Sequence, residues 1–245
     1  LQFPAATFLR FCLNHGLLQV NDRPQGRTVA GGARHYVDKI AATLPDIRLN
    51  MPVVSVRRSA GRMQVLSSGA GADEFDAVVF ATHAPTTLAM LHDASQTERA
   101  ILGGVRYQPN TAYLHTDTNL MPRRRKVWSA WNYLAGAQSD GQRPVCVSYW
   151  LNQLQALPFE TPVIVTLNPH TLPAESKLLA KFDYAHPVMD LATVRAQQQM
   201  AQIQGKGGAW FAGAWTGYGF HEDGLKSALR IAAAFDTVPA WSVLP

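Results

Sequence analysis

The chain has 245 residues, 47% of them hydrophobic and 16% charged, with a formal net charge of +5. That composition suits one large globular domain or two interleaved ones and excludes a disordered chain. The basic residues are scattered and carry no nucleic-acid-binding motif, and no apolar run reaches the length of a membrane span. The opening stretch, LQFPAATFLRFCLNHGLL, has neither a Met nor a basic segment ahead of its apolar residues, so it does not read as a signal peptide. Cys12 and Cys146 have no C-x-x-C spacing. This excludes a thiolate metal site and leads us to expect free buried thiols in a reducing, cytoplasmic compartment.

In chain order, residues 3–20 place Phe8, Phe11, Cys12, His15 and Leu18 at helical spacing, and a polar turn, NDRPQGR, follows. ARHYVDKIAATL predicts a second helix with Tyr36, Val37, Ile40, Ala41 and Leu44 on one face, ended by Pro45 and Asp46. IRLNMPVVSVRR and RMQVLSS read as a hairpin turning at Ser59-Ala60-Gly61. Residues 77–81 of EFDAVVFATHAP are apolar without alternation, as in a parallel strand covered on both faces. A helix resumes at TTLAML, beyond Pro85.

The middle of the chain changes character. Runs at 111–115, 127–133, 145–150, 162–167 and 179–184 are short, β-type and rich in Trp and Tyr. They predict an antiparallel sheet with one face available for packing or a ligand. The basic run Arg123-Arg124-Arg125-Lys126 follows Met121-Pro122; it reads either as a solvated loop or as a contact for phosphate or lipid headgroups. A polar-faced helix over 188–204 is broken by Gly205, Gly207 and Gly208, and AWFAGA is a last short strand. The order predicts an α/β unit interrupted by a β-rich substrate domain.

GAWTGYGFHEDGLKSALRIAAAF, residues 213–235, crowds four glycines and a His-Glu-Asp triplet ahead of a helix. That helix, over 222–235, carries Leu225, Ala228, Leu229 and Ala232 on its expected core face, with Lys226 and Arg230 opposite. Unpaired amides and a partial positive charge make a helix start a receptor for acceptor atoms. On this reading Gly224 and Leu225 offer N–H groups to a planar acceptor, and Glu222 or Asp223 accepts from sugar-like hydroxyls. The plainer reading makes Glu222 and Asp223 helix caps worth about 0.5–2 kcal/mol, which needs one glycine rather than four. Adjacent residues on a turn cannot all converge on one ion, so no metal is expected at His221, Glu222 and Asp223. G-x-S-x-G and H-E-x-x-H are absent, which argues against a hydrolase.

This unit resembles the C-terminal flavin-binding segment of the FAD-dependent amine oxidase and phytoene desaturase superfamily. TVAGGARHYVDKI resembles that superfamily's GG-x-x-x-hydrophobic helix start. MPVVSV resembles its adenine-contacting strand, and VVFATHAPTTL the strand-to-loop passage beneath the cofactor. LHTDTNLMPRRR, WSAWNYL, VSYWLNQLQ, VTLNP and GFHEDGL resemble signatures of a bacterial subgroup of predicted FAD/NAD-binding oxidoreductases associated with cyclopropane fatty acid synthases.

The resemblance implies FAD, with Val53 at the adenine and Ala81 and Thr82 at the cofactor's central part. It implies Gly213, Glu222, Asp223, Gly224 and Leu225 along the ribitol and flavin. Gly213-Ala214 stands where the superfamily has Gly-Glu, which would shift the ribitol contact to Glu222 or Asp223, and Ser227-Ala228 stands where it often has Ser-Gly. No cysteine lies near this segment, so a thioether-linked flavin is not expected. The superfamily's strand, G-x-G-x-x-G turn and helix have no counterpart, Val29-Ala30-Gly31-Gly32 being no substitute. The chain thus resembles a C-terminal portion: a partial FAD-binding Rossmann-like α/β domain lacking the N-terminal βαβ, with an inserted antiparallel-sheet plus helix substrate domain. The implied parts are a substrate-domain helix (1–27), the middle FAD segment (28–95), the substrate domain (96–205) and the FAD domain's last strand and helix (206–245).

The implied activity is an oxidase or desaturase passing a hydride to flavin from a hydrophobic, lipid-linked substrate, with a fatty-acid-modifying enzyme as partner. Trp131 and Tyr149 are the candidates to line an apolar slot over the ring; ordinary strand packing is the other reading of both. His115 and His186 read as satisfied sheet histidines, which leaves no catalytic base assigned. The competing function is a non-catalytic module that binds an acyl chain or partner on its antiparallel sheet, with a vestigial flavin site. Residues 1–245 alone are expected to purify with weak or no FAD; a yellow preparation with stoichiometric flavin refutes that.

Overall fold

A computed structural model describes residues 4–14, 16–22, 25–136, 145–239 and 241; His15, assigned above to the first helix, lies outside them. The helices are α1 (Ala5–Asn14), α2 (Arg34–Ala41), α3 (Ala84–Met90), α4 (Gln96–Gly103), α5 (Leu151–Leu154), α6 (Leu191–Gln199) and α7 (His221–Ala234). Among the strands, β1 (Val53–Ser59), β2 (Arg62–Ser67), β3 (Ala72–Phe75) and β4 (Val78–Phe80) come first. They are followed by β5 (Tyr107–His115), β6 (Trp131–Ala135), β7 (Val145–Trp150), β8 (Ile164–Leu167), β9 (Leu178–Pro187) and β10 (Ala209–Phe211). No helix among the described residues is long and apolar enough to cross a membrane.

Contacts divide the chain into two compact units. One comprises Leu1–Pro24, Arg48–Tyr107 and Pro187–Pro245; the other comprises Gln25–Ile47 and Gln108–His186. In the first unit β1, β2 and β3 form an antiparallel meander, and β4 pairs in parallel with β10. The expected hairpin forms, with Ser59 opposite Arg62. Its third strand, ADEF, carries no alternation that would mark it in the sequence. Val56, Met63, Phe80, Leu91, Ile101, Leu102, Phe211 and Trp215 belong to one core cluster. Across the parallel pair the Phe80 and Phe211 rings stack with centroids 5.6 Å apart.

Several expectations are corrected here. α1 buries Cys12, but Phe8 stays 54% exposed, and Leu18 falls beyond the helix and is exposed. The apolar face predicted for the second helix exists as a pattern, yet α2 buries none of its residues. Its spacing promises a covered stripe that nothing among the described residues supplies. Val79, read as covered on both faces, is 47% exposed, because the parallel sheet has only two strands here. In α7 the buried side chains are Ser227, Leu229 and Ile231, while Leu225 and Ala228 are exposed, so the helix is rotated from its expected face.

The second unit is a five-stranded sheet in the order β6-β7-β8-β5-β9. β6–β7, β7–β8 and β5–β8 are antiparallel, as the sequence indicated. The run expected over 127–133 becomes strand only at Trp131, after a 3₁₀ turn at Arg125–Val127. Both cysteines are free and buried, as expected from their spacing.

A charged clamp holds the first unit. Ser95 and Glu98 form a capping box at α4. The remaining oxygen of Glu98, a residue only 2% exposed, accepts from Arg58 of β1. Arg58 also binds Asp93 at 3.2 Å and the Lys206 carbonyl at 3.1 Å. Truncating Arg58 strands a buried carboxylate, so Arg58→Met should cost about 3 kcal/mol in urea unfolding. Arg58→Met combined with Glu98→Gln should recover part of that loss. A double variant whose loss equals the sum of the two single losses contradicts the coupling.

Candidate cofactor site

β4 and β10 end level, with Phe80 opposite Phe211, and the Ala212 N–H continues the ladder onto the Phe80 carbonyl at 2.9 Å. Ala81 and Thr82 therefore leave the sheet beside Ala212 and Gly213, at the carboxyl ends of parallel strands where α/β sheets place ligands. The Trp215 side chain, 3% exposed, fastens the two exits together: its indole N–H donates to the Thr82 carbonyl at 3.2 Å. The Thr82 hydroxyl pairs with that of Thr87 at 2.8 Å, fixing the start of α3.

The loop between β10 and α7 is stapled from both sides. The Gln197 carboxamide of α6 donates to the Trp215 carbonyl at 2.8 Å and to the Gly217 carbonyl at 2.7 Å. The Gly213 N–H donates to the Ser227 hydroxyl at 2.9 Å, and that hydroxyl donates to the Gly224 carbonyl at 2.6 Å. Gly213 and Gly217 leave no room for a side chain. Gly213 has φ +146, and a Cβ on it would lie 2.8 Å from the Trp215 ring; a Cβ on Gly217 would lie 2.5 Å from Asp223 Oδ1. Gly224 is under no such constraint, its nearest neighbour for an added Cβ being 3.7 Å away.

At the start of α7, the Phe220 N–H donates to Asp223 Oδ2 at 3.0 Å, so Asp223 caps the helix. The Gly224 N–H donates to the Phe220 carbonyl at 3.2 Å. That corrects one expectation: Gly224, and Leu225 after it, lie past the turn whose amides are left without intrahelical acceptors, and helix geometry leaves those of His221 and Glu222 instead. Glu222 is exposed and lies 3.7 Å from Lys226. Beside this loop is a polar cavity of about 350 Å³ whose lining includes Thr7, Gln197, Thr216, Gly217, Asp223 and Arg230. An apolar slot of about 280 Å³ adjoins it, formed by Phe8, Phe11, Met189, Tyr218 and Phe220, with Phe11 and Phe220 stacked at 5.8 Å.

The structure thus brings together Ala81, Thr82, Gly213, Glu222, Asp223, Gly224 and Leu225 on the strand exits and the loop and helix that follow. Val53 stands apart in the meander, where it opens β1 opposite Ser67. Trp131 and Tyr149 belong to the sheet unit and face each other across β6 and β7, with ring centroids 5.8 Å apart at 71°. Trp131 is 53% exposed, and burial raises the Tyr149 phenol above its ordinary pKa. His186 pairs with the Asn110 carboxamide at 2.9 Å. Among the described residues no three His, Cys, Asp or Glu side chains are grouped to hold a metal ion. Sequence reasoning missed Gln197, Trp215 and Ser227. Their signal is weak, because a Gln on a polar-faced helix looks like surface until the loop it holds is in place.

His115 is locked rather than catalytic. It is fully buried, and its Nδ1 accepts the Asp117 N–H at 3.0 Å, so the proton sits on Nε2. From Nε2 a one-way chain runs to the Thr166 hydroxyl at 2.8 Å, on to Ser148 at 2.8 Å, and ends at the Leu120 carbonyl at 3.0 Å. Burial holds the imidazole below its ordinary pKa, against a partial pull upward from Asp117.

No known family profile matches the chain, and no curated protein matches it. Solved structures do. A CLA-producing fatty acid isomerase from P. acnes aligns with TM-score 0.58 at 14% identity, over 83% of this chain and 52% of that one. Putrescine oxidase with putrescine bound aligns with TM-score 0.57 at 15% identity, over 84% and 53%. UDP-galactopyranose mutase in its reduced form aligns with TM-score 0.55 at 12% identity, over 81% and 50%. The chain spans about half the length of these proteins. Its fold is that of the FAD-binding oxidoreductases, mixed α/β, over that part of their length.

The His115 lock has a pH consequence. Below the ordinary histidine value of 6.5 the unfolded chain takes up a proton that the folded imidazole resists. The stability His115 confers is therefore complete above that value and drains away as pH falls toward the lower folded value. Unfolding midpoints measured between about pH 7.5 and about pH 5 should drop for the wild type and drop less for His115→Gln. Equal slopes would show that His115 carries no such linkage.

Proposed function

We propose that this chain forms part of an FAD-dependent oxidoreductase, with the cofactor seated where the β4 and β10 exits meet the start of α7. The observation that carries this is the convergence of Ala81, Thr82, Gly213 and the α7 helix start at the carboxyl ends of one parallel strand pair. The donor set suits one segment of such a group. The His221 and Glu222 amides with the helix's partial positive charge would hold acceptor atoms. Thr216 and Asp223 on the polar cavity would meet hydroxyls, the Asp223 carboxylate being fixed by its bond to the Phe220 N–H. FAD, when bound, supplies a hydride acceptor.

The chain's own contribution is position and exclusion of water. Gln197 and Trp215 hold the loop, and Phe8, Phe11, Met189 and Phe220 give the polar cavity an apolar neighbour. In this reading the unit with the parallel pair is the cofactor half and the five-stranded sheet is the substrate half. Trp131 and Tyr149 present an aromatic surface to a hydrophobic, lipid-linked substrate, and Val53 contacts the adenine. The half-exposed Trp131 beside the partly buried Tyr149 supports that assignment.

The test is flavin content and FAD titration of the intact polypeptide that contains this chain. Gly217→Val drives a side chain into Asp223, so it should lower bound flavin at least about ten-fold, the equivalent of about 1.4 kcal/mol, while circular dichroism stays unchanged. An intact polypeptide that stays colourless and does not quench the fluorescence of added FAD sinks the proposal. Wild-type flavin content in Gly217→Val removes this loop from the site.

A further inference from the structure

The sheet unit carries a basic turn that the cofactor site does not use. Arg123, Arg124, Arg125 and Lys126 are consecutive and exposed, and none forms an ion pair among the described residues. Three carboxylates of the unit are engaged elsewhere: Asp117 with Lys177, Asp183 with Lys181, and Asp38 with Arg34. The run is not a slack loop. Leu120 and Met121 before it are buried. The Trp128 indole N–H donates to the Pro122 carbonyl at 2.7 Å and closes the turn across its base. Inside, the Val127 N–H reaches the Arg124 carbonyl at 3.0 Å and the Trp128 N–H reaches the Arg125 carbonyl at 3.1 Å. Asn132 pins the exit with bonds to the Ser129 N–H and carbonyl. Four like charges are thus forced to stay together in the open, against their mutual repulsion.

We propose that this turn is a docking surface for an anionic phospholipid membrane. Consecutive side chains on a tight turn diverge, so they cannot close around one compact phosphate, yet they can meet many headgroups spread over a plane. Clusters of four or more cations bind anionic membrane surfaces on charge alone. An apolar contact accompanies them, Val127 on the same turn being 57% exposed. Single-stranded nucleic acid would need open aromatic faces for stacking. The one indole at the turn is occupied, with Arg125 over its ring at 5.4 Å and Trp150 edge-on at 5.3 Å.

The intact polypeptide should co-sediment with phosphatidylcholine vesicles containing about one-third phosphatidylglycerol and not with phosphatidylcholine alone. Raising the salt should release it. Replacing all four cations by Gln (R123Q, R124Q, R125Q, K126Q) should lower the partition coefficient by about 600-fold, at roughly five-fold per charge. Val127→Asn should lower it several-fold with the charges intact. Sedimentation unchanged by the four-fold variant overturns the proposal, as does equal binding to neutral vesicles. Release by millimolar inorganic phosphate reassigns the turn to a compact anion. An oligonucleotide bound more tightly than the vesicles, and indifferent to Val127→Asn, reassigns it to nucleic acid. Flavin content measured on the same variants separates this result from the fate of the cofactor reading.

Discussion

The first unit depends on the parallel pairing of Val78–Phe80 with Ala209–Phe211. Parallel strands cannot be joined by a tight turn, and here the connection contains the whole five-stranded sheet. Closing so long a loop costs entropy that grows slowly with length but must be offset locally. Three ladder pairs do not suffice. The stacked Phe80 and Phe211 rings, the buried Ala209 and the Trp215–Thr82 bond, which links residues 133 positions apart, complete the seam. Everything at the candidate site follows from that seam, because it alone sets Ala81 and Thr82 beside Gly213.

Polar groups reinforce the seam where apolar area is short. The outward-facing N–H and carbonyl of Phe211 are both satisfied by the Gln204 carboxamide, at 2.9 and 2.7 Å. A side-chain amide there imitates one residue of a neighbouring strand, which removes the penalty of an unpaired edge. The Arg58 clamp works the same way on the other flank, joining β1, the cap of α4 and the Lys206 carbonyl. The sheet unit follows a different strategy. Its covered face buries His115, Asn132, Ser148 and Thr166, each hydrogen-bonded, and Asp117 collects the Asn119 and Ala174 amides and Lys177. Those amides, led by that of Ala174, hold the Asp117 carboxyl below the ordinary carboxylate range. Such fully satisfied networks fix one register, since a slip by one residue would leave every member unpaired.

Three of the four glycines of residues 213–235 divide by function once their surroundings are known. Gly213 and Gly217 are demanded by the Trp215 ring and the Asp223 carboxylate, whereas Gly224 has room for a methyl group. Asp223 fulfils the capping reading and still lines the polar cavity, so capping and ligand contact are not alternatives at this residue.

The sequence by itself determined what is local. Apolar period and turn residues located both hairpin strands, the last helix and the antiparallel character of the middle of the chain, because each is decided within a few residues of backbone. It also marked the segment from Gly213 to Leu225 as unusual, since glycine and acidic residues ahead of a helix leave a compositional trace. Tertiary structure alone decided which face of the last helix is buried and that Gln197 and Trp215 hold the loop. Those outcomes depend on partners more than a dozen residues away, and no periodicity within an element encodes the position of a neighbour that reaches it only through folding.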